Sequence, residues 1–278
     1  TFGGIGGKKG EKVRFGLVTG HFAYGIARVV RDRLSNELRF DIEYQQVYAN
    51  NPDGIVSGAM NWSNYMGDLW RGWLGNRPVS DIVVKLDAVT QDYDFDGIKL
   101  SPMSELIRQL DIMMARYRVG DGTGAAIVTP ARSCAQDSNQ ALYVTIQRMQ
   151  SAVAANPRIQ DWLNQHPNDP QTLRFRQLVQ LGQRLEKNLV PLGIVRSDWQ
   201  KNADKLAGTN MERGLINKLL KAGTTWRTVL PRRVHDEMAA ILWQSGGTLW
   251  VIRTNQVGGF DPDITPLAPT AVFGHRIK

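Results

Sequence analysis

The chain has 278 residues, 42% of them hydrophobic and 22% charged, with a formal net charge of +8. It is long enough to bury a full core as one large domain or two smaller ones, and its composition is that of an ordinary soluble protein. No apolar run approaches the roughly 20 residues that span a bilayer, one cysteine excludes an internal disulfide, and four widely separated histidines show no zinc-site spacing.

The charge is unevenly placed. Residues 151–234 hold 14 Lys and Arg against 6 Asp and Glu, so the whole excess belongs to that stretch. Such a run is either a solvated helical face or a surface for an anionic partner, lipid headgroups above all. No recognisable nucleic-acid motif accompanies it. The chain opens at Thr1 with no signal-peptide pattern, and it reads as a segment of a longer, membrane-associated or exported parent whose character this piece need not display.

Residues 1–12 are rich in Gly and Lys and read as a flexible lead-in. Val13 to Val18 has the look of a short strand. His21 to Val30 is a second strand, a polar Ser-Asn turn follows, and Leu38 to Tyr48 is a third, with Phe40, Ile42 and Tyr44 alternating against Asp41, Glu43 and Gln45. The second and third strands make a β-hairpin. Asn50 to Asn76, with Trp62, Tyr65, Trp70 and Trp73, lacks a clear period and reads as a long ordered loop. Asp81 to Leu86 is a strand. Ser101-Pro102 starts a helix, Ser as N-cap and Pro in the first turn, that runs to about Tyr117.

Ala125 to Thr129 is strand-like, Pro130 turns the chain, and a helix runs through Ala135 to Val153. Beyond Asn156 the pattern is mostly helical, with periodicity at Thr172–Leu189 and Gly214–Ala222. A last strand, Thr248 to Thr254, follows Gly246-Gly247 and leads into an irregular, proline-bearing tail. The expected division is a lead-in at 1–12, an α+β core at 13–153, a basic helical region at 154–245 and a late strand with tail at 246–278.

The chemistry centres on Cys134, the only cysteine. A thiol at a helix N-terminus faces free backbone N–H groups and the positive end of the helix dipole, which favour the thiolate. A thiol hydrolase also needs an imidazole within hydrogen-bond reach and a third polar group to orient it. His21, opening a strand, is the best second member. A turn near Leu34–Ser35 makes paired residue numbers in the hairpin sum to about 69, so His21 falls opposite residues near 45–48. Gln45 and Gln46 are the polar candidates there, with Glu43 slightly farther; a glutamine orients a ring through its carbonyl oxygen.

The order of these segments resembles the circularly permuted papain-like hydrolases, the group of lecithin–retinol acyltransferase-like proteins and permuted NlpC-type peptidases. The matching residues are Gly20-His21-Phe22-Ala23-Tyr24-Gly25-Ile26, then Gln45 or Gln46, then Ser133-Cys134-Ala135-Gln136-Asp137-Ser138-Asn139. The resemblance spans about 13–153 and implies an α+β fold: a papain-like core in which a small antiparallel sheet packs on the Cys-bearing helix. It departs from the group at the third position, where histidine is frequent. The Gly20 to Gly25 run is also similar to cyanobacterial proteins labelled as CAAX or Abi-type membrane proteases. That label implies a Glu-Glu-x-x-x-Arg motif and membrane helices, neither of which this chain carries.

Asp92-Tyr93-Asp94-Phe95-Asp96-Gly97 matches the first half of a calcium loop, making Asp92, Asp94 and Asp96 the metal candidates. The match breaks at Lys99 and Met103, so an acidic turn without metal is the expected outcome. His235, in Arg232-Arg233-Val234-His235, reads as a surface residue near a helix start. The function expected from all this is a cysteine peptidase or amidase acting through a Cys134–His21 pair and a covalent thioester, on a peptide or amide/acyl substrate and without a cofactor. The alternative is a non-catalytic module of a membrane-associated parent, docking through residues 151–234 on anionic lipid or on the parent.

Overall fold

The computed structural model describes residues 2–5, 22–51, 54–61, 78–119, 134–189 and 231–253. Its fold is α+β. Six strands, β1 (Phe2–Ile5), β2 (Phe22–Arg31), β3 (Leu38–Asn51), β4 (Gly54–Asn61), β5 (Pro78–Lys85) and β8 (Thr248–Arg253), form one antiparallel sheet in the order β4-β3-β2-β1-β5-β8. A small hairpin of β6 (Tyr93–Phe95) and β7 (Ile98–Leu100) stands apart from it. The helices are α1 (Asp87–Thr90), α2 (Pro102–Val119), α3 (Cys134–Ala154), α4 (Pro157–Gln165), α5 (Pro170–Leu189) and α6 (Pro231–Gln244).

The β2–β3 hairpin has the register that a turn at 34–35 demands: Tyr24 pairs with Gln45 and Arg31 with Leu38. Residues of odd and even number on these strands therefore divide between two faces. Phe22, Tyr24 and Val47 join the larger core with the helices, whereas Ala23, Ile42, Tyr44 and Val83 form a second cluster on the opposite face.

Two segments differ from the sequence reading. Phe2–Ile5, expected within a flexible lead-in, is a strand hydrogen-bonded to both β2 and β5. Its Gly3-Gly4 weakens any local strand signal, and pairing on both sides supplies what propensity lacks. Gly54–Asn61, expected as part of a long loop, is an edge strand on β3. Its apolar alternation is interrupted at Gly58, but Ser57 Oγ ties it inward, donating to Val47 O at 2.7 Å and Met114 O at 3.0 Å. Val13 to Val18, residues 125–129, Gly214–Ala222 and the tryptophans between 62 and 73 lie outside the described residues.

Local signals set the helix ends. Ser101 Oγ accepts from Ser104 N at 3.3 Å and Pro102 opens α2; Asn156 Oδ1 accepts from Arg158 N at 3.1 Å and Pro157 opens α4. At the end of α6, Gly246 takes φ 87° and Gly247 N–H returns to Leu242 O at 2.9 Å, so a left-handed cap stops the helix and launches β8 along β5.

α3 is the central helix. Every described position from Cys134 to Ile146 is buried, which marks a helix covered on all sides. It lies against β2 and β3 on one side and α2, α4 and α5 on the others. Residues from α4, α5 and α6 share its core cluster, among them Ile159, Leu178 and Met238. None of the described helices is long and apolar enough to cross a membrane.

Candidate functional site

Cys134 is the first residue of α3 and is 3% exposed. The helix start sits against β2, and the backbone N–H groups of Phe22, Ala135 and Cys134 itself act on the sulfur to hold its pKa down. Those amides favour the thiolate, as a helix N-terminus should. Burial outweighs them. Desolvation, with the Asp137 carboxylate adding to it, pushes the thiol up to about 11. The amides act in the direction the sequence suggested, and burial acts against them more strongly.

Around it lies a buried polar group that sequence reasoning did not single out. Asp137, Ser138, Asn139 and Gln140 occupy consecutive positions of α3, each at most 2% exposed. Tyr117 of α2 donates its hydroxyl to Asp137 Oδ2 at 2.5 Å. Tyr24 of β2 donates to Asn139 Oδ1 at 2.7 Å, and Asn139 Nδ2 donates back to Ala135 O at 2.7 Å. This chain of bonds pins β2 to the first turn of α3. Burial drives the Tyr24 hydroxyl well above the ordinary tyrosine range, so it stays a donor. The available signal was the run Asp-Ser-Asn-Gln near the start of a helix, where such residue types favour caps and bonded positions.

His21, one residue before Phe22, lies outside the described residues. The two glutamines part company. Gln45, paired with Tyr24, is 4% exposed and donates to Glu43 Oε1 at 3.1 Å. Gln46 is fully buried on the face of Ala23, with its Nε2 2.7 Å from Met60 Sδ and its Oε1 without a hydrogen-bond partner among the described residues. Beside Tyr24, a mostly apolar cleft of about 70 Å³ opens between the sheet and the helices, lined also by Ile26, Val84, Leu142 and Leu242.

The structure places three further groups of residues that the sequence singled out. Asp92, Asp94 and Asp96 do not form a calcium loop: Asp96 (φ 53°) and Gly97 (φ 83°) make the two-residue turn of the β6–β7 hairpin. Asp94 Oδ1 accepts from Gly97 N at 2.7 Å, Asp96 pairs with Arg158 at 3.2 Å, and no group of three metal-ligating side chains occurs among the described residues. Tyr93 and Phe95, buried and stacked at 5.6 Å, explain the motif as a hairpin's alternation. His235 is 5% exposed within α6, not at the surface, because α6 lies across β1 and β2. The described arginines of the basic stretch serve the fold: Arg158 binds Asp96, Arg174 binds Gln91 and Asp92 O, Arg176 binds Pro167 O, and Arg184 binds Gln244 O.

No family model matches the chain, and neither a curated protein nor a solved structure does.

Proposed function

We propose that the chain is a cysteine-dependent hydrolase of peptide or amide bonds, built as a permuted papain-like core. The observation that carries the reading is the Tyr24–Asn139–Ala135 chain of bonds, which sets the start of β2 against the helix turn that begins with Cys134. It holds the start of β2, and so the residue next to His21, at the thiol. In this scheme Cys134 Sγ attacks the carbonyl carbon while its proton passes to the His21 imidazole. Backbone N–H groups at the start of α3 hold the oxyanion. The C–N bond breaks, His21 returns the proton to the leaving amine, and a thioester remains. Water then attacks with His21 as base, releasing a carboxylic acid and restoring the thiol. An amine or hydroxyl in place of water gives acyl transfer through the same thioester.

Gln46 has a spare carbonyl oxygen among the described residues but lies on the sheet face away from the helices, whereas Gln45, paired with Tyr24, lies on the helix face, so either glutamine can be the orienting residue of the scheme.

Burial of the thiol favours a second reading: Cys134 as a core residue of a non-catalytic module, attached to a membrane-associated parent and docked through residues 151–234 on anionic lipid or on the parent. The two readings separate in one experiment. A panel of peptidyl and acyl amides is incubated with wild type, Cys134→Ala and His21→Ala. The catalytic reading expects turnover that Cys134→Ala abolishes and His21→Ala lowers by roughly a thousandfold or more. A thioester adduct at Cys134, trapped by acid quench and seen by mass spectrometry, completes it. Turnover that survives Cys134→Ala refutes it.

A further inference from the structure

β1 is shorter than the strands on either side of it. Its residue Phe2 lies opposite both Tyr24 of β2 and Ile82 of β5. Beyond that level β2 continues to Arg31 and β5 to Lys85, and among the described residues no strand lies between them. β1 holds β2 and β5 one strand apart, so past its end they face each other across a slot one strand wide. From Ile26 and Val84 outward, alternate backbone N–H and C=O groups of the two strands are turned to this slot, the template on which an added strand pairs.

The register of β1 runs on into the slot. Each step beyond Phe2 advances one residue along β2 and one along β5, so the second seat lies opposite Ile26 on one side and Val84 on the other. Directly opposed residues share a face of the sheet. Here that face is the helix side: Val84 packs on the larger core, and Ile26 and Val84 together with Leu106, Leu142 and Leu242 line the apolar cleft of about 70 Å³. A side chain at the second seat therefore enters the cleft. The third seat, opposite Ala27 and Lys85, turns to the other face, where Ala27 packs on the second cluster and Phe40 meets Trp250 at 6.0 Å.

We propose that the slot receives an extended peptide of a partner protein, added antiparallel to both β2 and β5, with a short aliphatic side chain in the cleft. Two facing strand edges specify a backbone between them, which neither a lipid nor a helix supplies. The cleft then specifies one side chain. An engineered cavity of about 150 Å³ admits benzene, so a cleft of this size suits a valine- or leucine-sized group rather than an indole. The proposal needs no reactivity at Cys134 and stands or falls apart from the hydrolase reading.

The test is fluorescence polarisation of the full chain with a dye-labelled hexapeptide amide, Ser-Thr-Ser-Thr-Val-Leu, its leucine set for the second seat. Cys134→Ala is assayed in parallel, so that hydrolysis of the probe is not read as weak binding. Saturable binding is expected, weakened about tenfold or more when the peptide's leucine is replaced by aspartate. N-methylation of alternate peptide amides should weaken it as much, because it removes the donors of the ladder. Ile26→Trp, which fills the cleft, should do the same in a chain that circular dichroism shows to be folded. Hydrogen exchange should slow on binding at alternate amides between Ile26 and Val30 and at Val84 and Lys85. Absence of binding overturns the proposal, as does binding indifferent to the leucine or to N-methylation. Amides of Ile26 to Val30 that are all protected in the free chain, with no peptide bound, assign the slot to a segment of the chain itself and overturn it too.

Discussion

Titrating Cys134 against pH examines the site most directly. Burial raises the thiol from 9.0 to about 11, and each unit is a tenfold change in ionised fraction. At neutral pH the folded protein then holds roughly a hundredfold less thiolate than the unfolded chain. The assay is alkylation by iodoacetamide, followed by mass spectrometry, in buffer and in urea. In urea the rate should level off near pH 9; in the native protein it should climb about tenfold per pH unit and level off only near 11. The shape of the profile is the readout, because burial also slows the reagent's access. The same shift bears on stability. The native state keeps its proton where the unfolded state has lost one, so the contribution is complete below pH 9 and is lost as pH rises through about 11, amounting to about 3 kcal/mol. A native alkylation profile that levels off below pH 8 refutes the reasoning, since the amides would then have outweighed desolvation.

Asp137→Asn should move that native profile to lower pH, because repulsion from the Asp137 charge helps raise the thiol; an unchanged profile sets the carboxylate's role aside. Tyr24→Phe removes the donor to buried Asn139 and should cost about 1–3 kcal/mol in urea melts. Gly182→Ala should cost about 1–3 kcal/mol, because its Cβ would meet Ile146 Cγ2 at 2.9 Å where α5 crosses α3. Calcium should leave the melting temperature unchanged, while Gly97→Ala, forced into a left-handed turn, should lower stability by about 1–2 kcal/mol.

The hairpin was legible because both of its signals are local: alternation along Leu38 to Tyr48 and a polar turn that fixes the register. The helix start at Ser101-Pro102 and the strand after Gly246-Gly247 were legible for the same reason, each being written within a few residues. β1 and β4 were not. Their strand state rests on partners remote in the chain, Phe22 to Tyr24 and Ile82 for β1, and Glu43 to Asn51 for β4, and no periodicity of Phe2-Gly3-Gly4-Ile5 announces them. The acidic run at 92–97 shows an ambiguity of another kind. A spacing that suits a metal also suits a hairpin, and the apolar residues between the carboxylates decide for the hairpin. For the thiol, sequence gave the favourable amides but not the covering of the helix on all sides, and covering is the larger effect.

A buried neutral thiol and a catalytic one are compatible under one condition. With the thiolate scarce at neutral pH, the nucleophile must be made in the reaction step, by a base that takes the proton as sulfur attacks. Such a site is quiet towards alkylating agents and active only where substrate and base meet, so its turnover levels off at lower pH than alkylation, which keeps rising to about 11. Coincidence of the two profiles would mean that resting thiolate does the work and no base is needed. The network of Tyr24, Asn139 and Ala135 gives this scheme its geometry: it ties β2 to the first turn of α3 by side-chain bonds, but the same bonds would also serve a purely structural core, so the two pH profiles, not the network, decide between the readings.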